Sequence, residues 1–154
     1  MIPEDYVTSA MTAIALQSID FTWLAPPDTF APQQVLSLEE LARWPVIVQG
    51  AHSGITQRCE QLFAQAGLEL RPVYGSNSLF ALVALIRAGI GISCLPRALF
   101  AEEIRRGELQ EVRVETAPAP VNYKLAFLKH GQDTLMKSLA NVVTGLVGAL
   151  QQMP

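Results

Sequence analysis

The stretch Asn77-Ser78-Leu79-Phe80-Ala81-Leu82-Val83-Ala84-Leu85-Ile86-Arg87-Ala88-Gly89-Ile90-Gly91-Ile92-Ser93-Cys94-Leu95-Pro96-Arg97 runs through a polar cap, an apolar helix, a glycine turn, a short strand and a second helix start without a gap. It describes one αβ step of an open α/β sheet. Asn77 or the adjacent Ser76 can accept a hydrogen bond from the free N–H groups of the first helical turn. Between Leu79 and Ala88 the only charge is Arg87, so the helix should be packed on both faces. Ala88-Gly89 ends it, Ile90 to Leu95 suits a covered strand, and Pro96 cannot continue that ladder but fits a first helical turn. In such folds, helix N-termini at strand C-termini are where small anions are held.

The bulk of the chain is compatible with that reading. It has 154 residues, 50% of them hydrophobic, enough for one domain with a sizeable core or for two small lobes. Its formal net charge is −3 and no Lys or Arg precedes Arg43, so it lacks the basic footprint of a nucleic-acid surface. The same absence removes the positive segment of a secretory signal, and no apolar run reaches the roughly 18 residues of a membrane span. The expected location is the cytoplasm, with no membrane partner. Cys59 and Cys94 are too few for a disulfide framework and lack metal-ligand spacing. Both read as small core residues, Cys59 on the helical stripe Ile55, Cys59, Leu62, Phe63, Ala66 and Cys94 in the apolar strand.

Residues 1–13 are weakly patterned, whereas Ser18 to Ala25 alternates like a strand that Pro26-Pro27-Asp28 ends. Ser37-Leu38-Glu39-Glu40 has the spacing of a capping box and predicts a short helix to about Arg43, broken by Trp44-Pro45. Val46 to Val48 reads as a buried strand, Gln49 to Gly54 as a polar loop, Ile55 to Ala66 as an amphipathic helix stopped by Gly67, and Leu68 to Tyr74 as the next strand. Beyond Pro96, Leu99, Phe100 and Ile104 mark a helix that Gly107 ends, followed by a more exposed strand from Leu109 to Val114. Ala117-Pro118-Ala119-Pro120 is an extended linker. A strand from Asn122 to Leu128 and a helix from about Asp133 to Leu150 follow, the latter with apolar Leu135, Leu139, Val142, Val143 and Leu146. A self-contained α/β unit is thus flanked by segments that belong to another lobe. Residues 1–27 and 121–154 are expected to form part of a first lobe and 28–120 the second, with hinge strands at 27–32 and 117–121.

Several of these pieces, taken in order, resemble one family. Leu36-Ser37-Leu38-Glu39-Glu40-Leu41-Ala42-Arg43-Trp44-Pro45-Val46-Ile47, then Ser53-Gly54, then Asn77-Ser78 with Leu82-Val83, then Ala88-Gly89-Ile90-Gly91-Ile92 closing on Leu95-Pro96, resemble the effector-binding domain of LysR-type transcriptional regulators. The resemblance runs from about Ile19 to Leu150. It implies a fold like the type 2 periplasmic binding proteins, with one complete α/β lobe and an incomplete other one. A small-molecule effector would bind between the lobes, and a dimer or higher oligomer would act on promoters. DNA would be read only through an N-terminal helix-turn-helix that these residues do not include, so Met1 reads as a truncated or internal start. The resemblance also implies a dimer surface on the helix Ile55 to Ala66 and the strand after it, with Ile55, Gln57, Arg58, Gln61, Arg71 and Val73 as its candidate residues.

Each candidate site residue has a plain structural alternative. Ser53 and Gly54 resemble the family's loop facing the ligand, and Ser53 could equally be only a helix cap. Ser76, Asn77 and Ser78 carry the same two readings. Pro96 and Arg97 stand at a strand C-terminus, where Arg97 could offer its guanidinium to a carboxylate or lie solvated. The expected effector is a carboxylate. No cofactor, metal or catalytic residue is expected. Gly50-Ala51-His52-Ser53-Gly54 has its serine in the fourth place of the pentad, where a nucleophile elbow has it in the third. His52 and His130 lack ligand partners and read as surface residues. Glu39-Glu40 and Glu102-Glu103 are consecutive and diverge on a helix, and Gly89-Ile90-Gly91 lacks the third glycine of a dinucleotide fingerprint. The sequence therefore reads as a non-enzymatic sensor. A solute-binding protein of the same fold and a small enzyme using Ser53 or Cys94 stand as the alternatives.

Overall fold

Glycine, proline and short polar runs cut the chain into brief elements. A computed structural model describes residues 1–50, 53–128 and 138–145. In chain order they hold β1 (Ile2–Pro3), β2 (Met11–Ile19), β3 (Phe21–Ala25), β4 (Val35–Leu36), α1 (Leu38–Leu41), β5 (Val46–Gln49), α2 (Gly54–Gln65), β6 (Pro72–Ser76), α3 (Leu79–Arg87), β7 (Ser93–Pro96), α4 (Ala101–Arg105), β8 (Gln110–Val114) and β9 (Val121–Leu128). Residues 138–145 are helical as well. The chain divides into two compact units, one made of Met1–Ile19 with the described residues after Ala119, the other of Asp20–Ala119.

In the first unit β9 lies between β1 and β2 and runs antiparallel to both. The β2 pairing shifts register between Ala15 and Gln17. Glu4 ties the unit's start to β9 through Asn122, at 3.3 Å, and through Lys124. β2 was not legible in residues 1–13. Met11 to Ile19 has no charge and is mostly half-buried on both sides, so no clean alternation marks where it begins. Of the expected last helix only 138–145 is described. Within it Ala140 is buried while Leu139 and Val142 are exposed, and Leu135 and Leu146 lie outside the described residues.

The second unit carries β4, β8, β3 and β7 in that spatial order, and β5 pairs β6 in parallel. Val46 forms a parallel bridge with Ile92, which joins β5 to the strand leading into β7. α2 covers one side of this sheet. Ile55, Cys59 and Phe63 on its inner stripe are buried, and the Phe63 ring lies 6.2 Å from that of Trp23 in β3. Leu82, Val83 and Ile86 of α3 pack with Leu24, Ile47, Leu95, Phe100 and Leu109 in a second cluster. Each such fully buried aliphatic side chain contributes roughly 1.5–3 kcal/mol of transfer free energy. Gly67 and Gly89 stop α2 and α3 at φ of +72° and +75°, a conformation that costs glycine least.

Several expectations are corrected here. The strand Phe21–Ala25 pairs with β7 and β8, so it belongs to the second unit, and the chain changes units at Ile19/Asp20, before the expected boundary. The expected hinge at 27–32 is pinned inside that unit: Phe30 N–H donates to Gln110 Oε1 at 2.9 Å, and Gln110 Nε2 donates back to Phe30 O at 2.6 Å. α3 is not packed all round. Phe80 is 82% exposed, and Ala84 and Arg87 share its open side, because the sheet takes only the Leu82, Val83, Ile86 face. Leu68 to Arg71 form no strand, since Leu68 N–H closes the end of α2 on Phe63 O at 2.9 Å and pairing begins only at Pro72. Pro96 does belong to a ladder, opposite Phe21, with the missing donor followed at once by Arg97 N–H to Asp20 O at 3.1 Å.

Candidate functional site

Register decides which loops can meet. β5 and β6 are parallel with Gln49 opposite Ser76, and Ile47 N–H donates to Ile92 O at 2.8 Å while Ile92 N–H donates to Pro45 O at 2.9 Å. Counting on from the Val46–Ile92 bridge brings Gly50 level with Pro96. The C-terminal ends of three strands therefore share one edge of the sheet, which gathers Gln49-Gly50, Ser76-Asn77-Ser78 and Pro96-Arg97. Edges of this kind are where open α/β sheets hold ligands.

Two helices start at that edge. Ser78 caps α3, its hydroxyl accepting from Ala81 N–H at 3.4 Å, and Ser76 Oγ accepts from Ser78 N–H at 3.1 Å. Neither Ser76 nor Asn77 is the cap, which corrects the expectation. Ser53 stands at the N-cap of α2 but makes no capping bond. Its hydroxyl donates instead to Gln49 Oε1 at 2.8 Å, and the buried Thr56 donates its hydroxyl to Gln49 O at 2.7 Å. The first turn of a twelve-residue helix, whose N–H groups have no partner within the helix, thus receives no cap from Ser53. Gln49 and Thr56 escaped the sequence reading. The available signal was a polar amide ending an apolar strand and a threonine in the first turn of the next helix.

Arg97 is committed to Glu111: Nε donates to Oε1 at 2.8 Å and one terminal nitrogen to Oε2 at 3.2 Å. That bidentate contact holds the Glu111 carboxyl below its ordinary range, with Thr22 adding a further hydrogen bond. Two of the guanidinium's five N–H donors are therefore engaged by Glu111. Behind α2, Cys59 and Cys94 are buried side by side, and burial first, then the hydrogen bond between them, pushes the Cys94 thiol well above its usual value. A cavity of about 10 Å³ lies there, lined by Trp23, Gln49, Thr56 and both cysteines.

Of the residues expected at a dimer surface, Ile55 faces the core at 2% exposure and offers nothing to a second chain, since it shares the inner stripe of α2. Gln57 and Arg58 are half-buried, while Gln61, Arg71 and Val73 are exposed, Arg71 paired with Glu69 at 2.8 Å. His52 and His130 lie outside the described residues. Glu102 is held by Arg105 and Arg106, at 2.6 and 2.8 Å, and does not form an acid pair with Glu103. Among the described residues no group of three or more His, Cys, Asp or Glu could hold a metal, and no helix is long and apolar enough to cross a membrane.

Comparison with known proteins adds the following. The family model of the LysR substrate binding domain matches residues 2–146. The phosphonates import ATP-binding protein PhnC of Anaeromyxobacter dehalogenans (strain 2CP-C) is 31% identical over 100 residues, 63% of this chain, but the chain spans only 20% of that protein. Among solved structures, the regulatory domain of CcmR from Synechocystis PCC6803 in complex with 2-PG superposes with a TM-score of 0.78 at 18% identity, covering 95% of this chain and 71% of that one. The effector binding domain of QuiR in complex with shikimate gives 0.75 at 16% identity, over 94% and 69% of the two chains. A LysR family transcriptional regulator of Pseudomonas aeruginosa, described as putative, gives 0.76 at 19% identity, over 99% and 52%. These likenesses carry the fold, that of the type 2 periplasmic binding proteins, as the sequence implied.

Proposed function

Because this chain belongs to the LysR substrate binding domain family, we propose that it senses a small carboxylate at the strand edge of residues 20–119. It would pass that binding to DNA-reading segments outside residues 1–154. The observation that carries the reading is the start of α2. Ser53 donates to Gln49 and does not cap its own helix, so among the described residues its side chain does not occupy the first-turn N–H groups, which with the positive end of the helix suit an anion. Ser76, Asn77 and Ser78 border the same edge, with Pro96 beside them and Arg97 paired with Glu111. Shikimate, found with the effector binding domain of QuiR, is a carboxylate.

The chain acts in the cytoplasm as a binder and not as an enzyme. The Ser53 hydroxyl is donated to an amide oxygen, which is no base, and the Cys94 thiol is kept protonated by burial. A net charge of −3 gives it little means of neutralising several phosphates, so DNA contact falls to other segments of a longer protein. Copies of the chain associate through Gln57, Arg58 and Gln61 of α2 with Arg71 and Val73 near β6. β6 is paired only with β5 among the described residues and leaves an edge open to another chain.

The test is a thermal-shift titration of the chain with small carboxylates, shikimate included. A true effector stabilises by mass action, about 2.7 kcal/mol at a hundredfold excess over Kd. A panel that leaves the melting temperature unmoved, or hits that bind Ser53→Asp as tightly as the parent, would count against the reading.

A further inference from the structure

The two loops at the strand edge are connected by a contact that neither loop makes alone. Gly50 ends the extension of β5, and Asn77 precedes α3. A Cβ placed on Gly50 would fall 2.1 Å from Oδ1 of Asn77, 3.1 Å from its Cγ and 3.6 Å from its Nδ2. All three of the nearest atoms belong to that one side chain, so Asn77 fills the space that any other residue at position 50 would need. Gly50 does not adopt a positive φ, so a glycine is not required there by its backbone. The amide is what requires it. Asn77 is otherwise an exposed residue that does not cap the helix it introduces, the cap being Ser78.

We infer that Asn77 is a positioning residue: its amide seats on the bare face of Gly50 and holds the loop leading to α2 in register with the loop leading to α3. The chain of contacts is short. Gly50 O accepts from Ser53 N–H at 2.8 Å, so whatever fixes Gly50 also bears on Ser53, the residue that precedes the first N–H groups of α2. In the effector site, a role that rests on the function proposed above, Asn77 acts on the ligand through this turn and not by touching it.

The inference is testable without any effector. Amide hydrogen exchange is followed on the parent chain and on Gly50→Ala, Asn77→Ala, the double variant and Asn77→Asp. An alanine methyl evicts the end of a flexible side chain, so Gly50→Ala and Asn77→Ala should each speed exchange of the Ser53 and Gln57 amides, which donate to Gly50 O and Ser53 O, and leave 82–86 unchanged. The double variant should be no faster than either single one, because both remove the same contact. Asn77→Asp, which keeps an oxygen at the contact, should retain the parent's protection. Additive effects of the two alanine substitutions, unchanged exchange at Ser53 and Gln57, or a loss in Asn77→Asp equal to that in Asn77→Ala would overturn the assignment. Failure of every carboxylate in the thermal screen would leave this result intact, and the reverse also holds, so the two readings fail separately.

Discussion

Ser53 and Ser78 occupy the same position in their helices and use their hydroxyls differently. Ser78 turns its oxygen onto Ala81 N–H and closes the start of α3, while Ser53 donates to Gln49 and leaves the start of α2 without a side-chain cap. Ser37 behaves like Ser78 and goes further, completing a reciprocal capping box with Glu40 at 3.2 and 2.9 Å. The contrast teaches that an N-cap serine is not evidence of capping. What decides is where the side chain is aimed: at α2 the Ser53 hydroxyl donates to Gln49 and, although its oxygen keeps its acceptor lone pairs, it accepts no first-turn N–H. A helix start left open beside two other strand ends has donors to offer a ligand, whereas a closed one serves the fold.

The largest effect should come from removing what anchors the open start. Thr56→Val keeps the shape of a buried side chain but leaves the Gln49 carbonyl without its 2.7 Å donor, and chemical denaturation should show a loss of about 1–3 kcal/mol. A loss within error would mean that Gln49 does not hold α2. Next in size is the difference between the two serines. Ser78→Ala should cost about 1 kcal/mol as a lost cap, and Ser53→Ala clearly less, since no cap is lost. Equal costs would erase the contrast on which the site rests.

The smallest effect concerns Glu111, whose partner Arg97 is well exposed. Its folded pKa is depressed, so the stabilisation it brings is present above the ordinary carboxylate pKa and disappears as pH falls through the depressed value. Glu111→Gln should therefore melt slightly below the parent at pH 7 and draw level with it only once the pH has fallen below the depressed folded value of Glu111. A gap that persists in acid would point to packing and not to the ion pair.

The chain wrote its helices more plainly than its strands. The capping box at Ser37, the glycine stops at Gly67, Gly89 and Gly107 and the apolar run of α3 are local signals, and the structure keeps all of them. Strand membership is not local. Ser18–Ala25 reads as one strand from its residues alone, yet the pairings split it at Asp20, with Ser18 and Ile19 on β9 and Phe21–Ala25 on β7 and β8, and Met11–Ile19 lacks the alternation that would announce it. For the site, Ser53, Ser76, Asn77, Ser78 and Pro96 were legible as residues gathered at strand ends. What each does was not, because Ser53's hydrogen bond to Gln49, Arg97's pairing with Glu111 and the seating of Asn77 on Gly50 are contacts across loops that spacing does not encode.

The claim at the centre of this account is that the uncapped start of α2 receives the effector's negative charge. Backbone amide NMR of the chain, titrated with a carboxylate that stabilises it, tests that directly. The account predicts that the signals of Gly54, Ile55 and Thr56 move with saturation. It also predicts that Ser53→Asp, whose carboxylate occupies the same donors and stabilises the helix by about 0.3–1 kcal/mol, abolishes the shift. Saturating shifts confined to other residues, or an undiminished response in Ser53→Asp, would contradict it.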